Sequence, residues 1–410
     1  MNMEKLIRNY AALTLQRGVN LQPGQTLVID TPLWTADFCH LLMEEAYALG
    51  AHDVVIHYDD PEGERLRVNL APEEALADVP RWMAERSTVY GDRGAAFLRV
   101  ISPKPAGGPV DARRDALRKK ALNAPLQALK MKRMANDLSW SAVAIPNGEW
   151  AAQVFPQLPE EEAVRALWQA VFDCCYVTEE SGTAGWDRHI KEMLIHVDRM
   201  NSLEIRSLHL KNGKGTDITL DLCEEGVFAG GICHCPEPDG ILFAPNIPTE
   251  EILTTPHRFS ANGVVYSTLP LVYNGQIIDG FRLEFKDGVV TGFTCEKGAE
   301  LLQSILDTDE GSRRLGEIAL VPYDSPIRKS GVLFYNTLFD ENASCHMALG
   351  MGYLDVLHGR DRRTEALAAQ GLNVSSLHVD FMFGSADLSC TAVTGSGETV
   401  EIFKDGVFVI

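Results

Sequence analysis

The hydrophobic pattern of this chain changes period once, near residue 200, and that change limits the possible folds more than any other feature of the sequence. Before it, apolar residues recur at helical spacing, and these stretches are separated by short apolar runs. Leu6, Ile7, Tyr10, Ala11 and Leu13 share one face of a helix expected over 3–18, and a second helix is expected over 36–49, stopped by Gly50. The runs at 26–29, 53–58, 97–101 and 141–145 read as strands. A basic helix near 111–136 and two more helices across 159–201 complete the first half. Strand and helix in alternation argue for a mostly parallel sheet covered by helices, an α/β domain.

After residue 204 the period falls to two. SLHL, KNGKGT and DITLDL read as a hairpin closed by an Asn-Gly turn, and alternating segments recur at 263–268, 277–285, 289–294, 317–321, 376–383 and 399–403. Asp-Gly turns fall at Gly288 and Gly406, and helices are expected near 297–306, 343–357 and 362–369. The expected organisation is an α/β domain over 1–200 and a β-rich α+β domain over 201–410. No internal repeat or low-complexity tract interrupts either.

Composition removes several classes of function. The 410 residues carry 37 Lys+Arg against 57 Asp+Glu, a formal charge of −20, which argues against nucleic-acid binding through phosphate neutralisation. No apolar run approaches the roughly 18 residues of a membrane span. The start, MNMEKLIRNYAALTLQRG, has charges where a signal peptide needs its apolar run, so a cytoplasmic protein is expected. Nine scattered cysteines make no disulfide framework, and Cys174-Cys175 and Cys233-His234-Cys235 lack a second pair at zinc-finger spacing. G-x-G-x-x-G, G-x-x-x-x-G-K-[ST], G-x-S-x-G and H-E-x-x-H are all absent.

What remains is a set of acids and histidines in the second half. In SSLHVDFMFGSADL, His378 and Asp380 stand at i and i+2, so on a strand both project from one face. In FDENASCHMALGMGYLDVL, His346 and Tyr353 are seven apart, sharing a face of the expected 343–357 helix, with Asp340, Glu341 and Asn342 as capping residues. Glu317 stands in an otherwise apolar strand, and Glu250 and Glu251 precede a β-branched run, with position alone unable to choose between them. Burying such acids is costly unless they are paired or bound to a metal. Two glutamates, two histidines and an aspartate suit a two-metal hydrolase with nitrogen and oxygen ligands, which favours zinc, cobalt or manganese.

The segments LQPGQTLVIDTP, NIPTEEILTTPH, FDENASCHMALG and LHVDFMFGSADL, spread over essentially the whole chain, resemble the thermophilic aminopeptidase family of metallopeptidases, the aminopeptidase T and aminopeptidase S group. The resemblance implies two divalent metals held by Glu251, Glu317, His346, His378 and Asp380, with Tyr353 as a catalytic hydroxyl. It also implies a two-domain subunit with the metals in the β-rich part, a homodimer, and peptide substrates. Within it, Glu317 would bridge the metals or take the water proton, and Glu341 would hold the substrate's free amine. Two other readings compete. A non-haem iron ring-cleaving dioxygenase of the dihydroxypyridine type needs only His346, His378 and Asp380, leaving Glu251 and Glu317 without a task. A non-catalytic peptide-binding scaffold needs none of them.

Overall fold

The computed structural model describes residues 2–104, 107–236, 240–273, 276–354, 356–357 and 364–410. The chain divides into two compact units, Met1–Asp187 with Ile232–Ile247, and Arg188–Gly231 with Pro248–Ile410.

The first unit is built on a five-stranded parallel sheet among the described residues. From edge to edge it runs Asn246–Ile247, Trp140–Ala144, Ala96–Ile101, Thr26–Pro32 and Asp53–Asp59. Leu27, Val28 and Ile29 are all buried, consecutive residues on opposite faces, because helices cover both sides of a parallel sheet. Asn2 caps the helix Met3–Leu13 by accepting the N–H of Lys5 at 3.1 Å, and Tyr10 from that helix donates to the carbonyl of Ala144 at 3.1 Å. A π-helical turn over Thr14–Gly18 follows, in which a Cβ on Gly18 would lie 2.9 Å from Ser141 Oγ. The basic stretch is two helices, Ala112–Asn123 and Gln127–Met134, joined by a 3-10 turn. Helices Pro61–Leu70, Glu73–Ala77 and Arg81–Gly91 lie in a segment for which the sequence pattern predicts nothing. Their few apolar residues do not recur at a regular helical spacing, so no apolar stripe marks them; Asp60 and Pro61 start the first of them as cap and first-turn residue. On the sheet, the imidazole Nδ1–H of His57 donates to Asp30 at 3.0 Å, and Arg133 lies 3.8 Å away. Burial opposes the Asp30 charge, but His57, Arg133 and Arg99 together hold its carboxyl below the usual range.

Among the described residues the second unit holds two main antiparallel sheets and the short antiparallel pair Leu271–Tyr273 with Gln276–Ile278. The larger runs Val289–Thr294, Arg282–Lys286, Asn262–Tyr266, Asp217–Asp221, Ile205–Lys211, Ser389–Thr394, Thr399–Lys404 and Val407–Phe408. Its centre is the expected Asn-Gly hairpin, with Lys211 opposite Asp217. The smaller runs His378–Met382, His346–Gly350, Leu315–Leu320, Ile252–Thr254 and Ala229–Gly230.

One expectation fails in this smaller sheet. The 343–357 segment is not a helix: Glu341–Ala343 is a single 3-10 turn, His346–Gly350 is a strand, and Tyr353 lies in the loop beyond it. The strand is buried at every position, so its sequence shows no polar alternation, and Met, Ala and Leu favour helix intrinsically. Pairing on both sides, with Leu315–Leu320 and His378–Met382, overrides that preference. The helix expected near 297–306 is Ala299–Leu306, and that near 362–369 is Thr364–Ala369, with 362–363 outside the described residues.

Candidate metal centre

Strand register gathers the candidate residues onto one face. Glu317, Ala348 and Asp380 stand directly opposite one another across three strands, and Ala319, His346 and Met382 form the next row. Gly350 opposite His378 forms a third. Leu253 opposite Ala319 puts Glu251, two residues earlier, on the same face. Ala348 and Gly350 are therefore the small floor between the ligating side chains, and they leave room above the sheet.

The distances describe two overlapping triads. His346 Nε2 lies 3.1 Å from Glu251 Oε2 and 3.7 Å from Glu317 Oε1. His378 Nε2 lies 3.1 Å from Glu317 Oε2 and 3.2 Å from Asp380 Oδ1. In each of the sets Glu251–Glu317–His346 and Glu317–His378–Asp380, one ligand atom per residue lies within 4.8 Å of the others. Glu317 belongs to both and offers a different oxygen to each histidine. Glu317 and His346 are 2% and 1% exposed, so their charges are out of reach of bulk solvent.

Both imidazoles are set in the tautomer that a metal requires. His346 Nδ1 lies 3.1 Å from the carbonyl of Ser344, and His378 Nδ1 lies 2.7 Å from that of Met351. A carbonyl only accepts, so each Nδ1 carries a hydrogen and each Nε2 is the nitrogen that faces the acids and that a cation would take in place of a proton. His378 Nε2 is buried and makes no aligned hydrogen bond, despite the two carboxylates beside it. An orphaned ring nitrogen facing paired carboxylates is what a ligand set awaiting a cation presents, and the oxygen and imidazole donors suit a divalent transition metal.

The electrostatics demand positive charge. Burial raises the pKa of Glu251, against a hydrogen bond to His346. Burial also works to raise Glu317, yet the adjacent imidazoles of His346 and His378 draw it down to about 2. Burial should lower both histidines, but the neighbouring carboxylates raise them well above the ordinary value. Glu341 is a fourth acid here: burial, then the charges of Asp380 and Glu251, raise it well above the usual carboxylate range. Tyr353 sets its ring edge against His378, with centroids 5.0 Å apart. The residue as a whole is 39% exposed, while desolvation of its hydroxyl and then the charges of Glu317, Asp380, Glu251 and Glu341 keep that hydroxyl protonated.

The structure also separates the two adjacent glutamates. Glu251 faces His346, whereas Glu250 turns toward His189, 3.7 Å away. His189, which the sequence reading missed, and Asn342, which it took only as a capping residue, support this segment. His189 Nε2–H donates to the carbonyl of Thr249 at 2.8 Å. Asn342, fully buried, accepts the N–H of Glu250 at 2.7 Å and donates to the carbonyl of Leu338 at 3.2 Å. No local pattern marks either, since each acts on a segment more than fifty residues away. Asp340 is not a cap for the expected helix: its carboxylate accepts the N–H groups of Phe334 and Asn336 at 2.8 and 2.9 Å. The nine cysteines are all free, and none belongs to either ligand set.

Buried carboxylates and oriented imidazoles on one face of a sheet make this a candidate metal centre. A sequence profile of thermophilic metalloproteases (M29) matches residues 3–408, and the chain belongs to that family. It is 40% identical to "Aminopeptidase 2" of Geobacillus stearothermophilus over 98% of this chain and 97% of that protein. It is 39% identical to "Aminopeptidase T" of Thermus aquaticus over 100% and 98% of the two chains. The solved structure "Wild-type AmpT from Thermus thermophilus" superposes with a TM-score of 0.92 at 36% identity, covering both chains in full. The chain is a hydrolase, a metallo-exopeptidase of the aminopeptidase type. These relationships lend the ring-cleaving dioxygenase reading no support. Among the described residues no helix is long and apolar enough to cross a membrane.

Proposed function

We propose that the chain removes the N-terminal residue from peptides, using two divalent cations seated at Glu251–Glu317–His346 and Glu317–His378–Asp380, with zinc, cobalt or manganese as the candidates. The observation that carries this reading is the division of Glu317: Oε1 is 3.7 Å from one imidazole and Oε2 is 3.1 Å from the other. A carboxylate placed in this way would serve two cations at once, a role that a mononuclear site leaves without use. When bound, such cations lower the pKa of a water toward neutrality and polarise a carbonyl.

The remaining work falls to the chain. The Nδ1 hydrogen bonds hold both imidazoles in place, so substrate arrives at a preorganised centre. Tyr353, kept protonated, donates its O–H to the oxygen that gains charge as the scissile carbonyl becomes tetrahedral. Glu341 belongs to neither triad, and the ammonium of the substrate's first residue would offset the neighbouring charges of Asp380 and Glu251 that oppose its ionisation. The test combines metal counting on the purified protein with cleavage of matched free and N-acetylated peptides. Two metal equivalents per chain and cleavage of the free peptide alone are expected. One equivalent at full activity overturns the bridge, and rapid cleavage of the acetylated peptide overturns exopeptidase action.

A further inference from the structure

Tyr353 stands in a loop beyond the strand His346–Gly350, with its ring edge against His378. Its side chain makes no hydrogen bond among the described residues. The hydroxyl is therefore aimed by the main chain that leads to it, the link Gly350–Met351–Gly352. Every N–H of that link is spoken for. Gly350 donates to the carbonyl of Arg314 at 2.9 Å, Met351 to that of Leu377 at 2.7 Å, and Gly352 to that of Asn373 at 3.0 Å. The side chain of Asn373 acts on the same link: Nδ2 donates to the carbonyl of Gly350 at 2.5 Å and to that of Gly311 at 2.8 Å. Asn373 thus holds the chain on both sides of Met351, by its side chain before that residue and by its main chain after it.

The surroundings give the link little other course. Gly350 has a φ of 106°, and a Cβ there would lie 2.2 Å from the carbonyl oxygen of Leu377. A Cβ on Gly352 would lie 2.5 Å from Leu372 Cδ1 and 2.6 Å from Thr255 Oγ1. Within this packing Asn373 is fully buried, and its Oδ1 is left without a partner. The carbonyls of Gly311 and Gly350 only accept, so the end of the amide that faces them is the NH2 group. An orphaned amide oxygen costs stability that an apolar side chain of similar size would not. What the amide supplies in return is the pair of bonds to Gly311 and Gly350.

We propose that Asn373 is a positioning residue, setting the Tyr353 hydroxyl by clamping the link Gly350–Gly352. The proposal rests on the reading of Tyr353 as the oxyanion donor of an aminopeptidase. With the amide removed, residue 373 is no longer tied to Gly350 and Gly311, and its hold on Gly352 loosens. His378 is protected from this loosening, because its strand is paired with His346–Gly350 and coordination fixes its ring once a metal is bound. Tyr353 has neither support. A catalytic group misplaced by about 1 Å costs on the order of 10² in rate.

A double-mutant cycle on the metal-loaded full chain, with an unblocked peptide as substrate, tests the clamp. Asn373→Ala should lower kcat roughly 10–100-fold, with KM within about threefold and metal content unchanged. In the Tyr353→Phe background the same replacement should cost less than about threefold more, because no hydroxyl is left to place. Equal losses in the two backgrounds overturn the clamp. So does turnover of Asn373→Ala within about threefold of the parent, or a loss of metal that accounts for the lost turnover. Tyr353→Phe at parental turnover overturns the role of the tyrosine and the clamp with it. Should Asn373→Ala fail to fold, Gly352→Ala crowds the same link against Leu372 and Thr255, and its loss must likewise vanish without the hydroxyl. The second measurement needs no turnover. In metal-depleted protein labelled at tyrosine and histidine, the nuclear Overhauser contact between the rings of Tyr353 and His378 should weaken at least twofold in either variant. An unchanged contact overturns the clamp. A parent that cleaves no unblocked peptide overturns the aminopeptidase reading, and the ring contact still decides the clamp.

Discussion

Replacing Asn342 by alanine tests whether the metal centre depends on a residue that touches no ligand atom. Asn342 is fully buried, and its side chain ties the segment carrying Glu251 to the one carrying His346. Its loss strands the N–H of Glu250, itself 5% exposed, at a cost of about 1–3 kcal/mol, and removes the bond to Leu338, worth about 0.5–1.5 kcal/mol. Together these predict about 1.5–4.5 kcal/mol of lost stability in the metal-free protein. For a unit of this size, each kcal/mol moves the midpoint by roughly 2–4 °C. Freed from this tie, Glu251 should also bind metal less well, by about 10–100-fold, the usual effect of removing an outer support of a ligand. That factor equals about 1.4–2.7 kcal/mol, so metal should stabilise the variant by that much less than the parent at saturating concentration. Differential scanning calorimetry with and without zinc measures both quantities. A variant whose metal-induced shift equals the parent's would refute the link from Asn342 to Glu251, even if its metal-free midpoint fell as predicted.

Tyr353→Phe should lower kcat by about 10²–10³ with metal content and KM little changed; turnover within threefold of the parent at full occupancy would make the tyrosine a packing residue. Glu317→Gln removes the shared charge and should leave fewer than two metal equivalents in a folded protein, which mass spectrometry under native conditions reads directly. Ala348→Val places methyl groups in the floor between Glu317 and Asp380. It should depress metal affinity while costing about 1–3 kcal/mol of overpacking, and unchanged affinity would mean that the space above Ala348 is not the metal position. In the first unit, the lowered pKa of Asp30 adds stability that is present above the ordinary carboxylate range and lost as pH falls through the lowered value. Asp30→Asn should therefore flatten the acid limb of that unit's unfolding curve, and an unaltered limb would show that its partners do not hold the charge.

How much of this was legible in the sequence depended on whether the signal was local. Four of the five parallel strands announced themselves because each is a short apolar run between helical stretches, whereas the two-residue strand Asn246–Ile247 carries no such signal. The His378 and Asp380 pair was legible for a similar reason: strand geometry alone places i and i+2 on one face. His346–Gly350 was misread because burial on both faces erases alternation, leaving only intrinsic preference, which points to helix. The spacing of His346 and Tyr353 then carried no meaning, although both residues reach the same centre by a different route. Glu250 and Glu251 could not be told apart because the choice is made by Asn342, 92 residues from Glu250 along the chain. The union of five residues into two triads sharing Glu317 lies in the register of four strands, which no single segment encodes.

The groups that orient the two imidazoles are main-chain carbonyls, those of Ser344 and Met351. Every amino acid supplies such a carbonyl, so the side chains at 344 and 351 are under no obligation to the metal. In a centre where a carboxylate side chain holds each histidine, one point mutation can release the ring; here that route to inactivation is closed. Residue types at these two positions can drift among relatives while the tautomer of both ligands is inherited with the backbone. The centre should therefore outlast a degree of sequence divergence at its supports that would dismantle one supported by side chains.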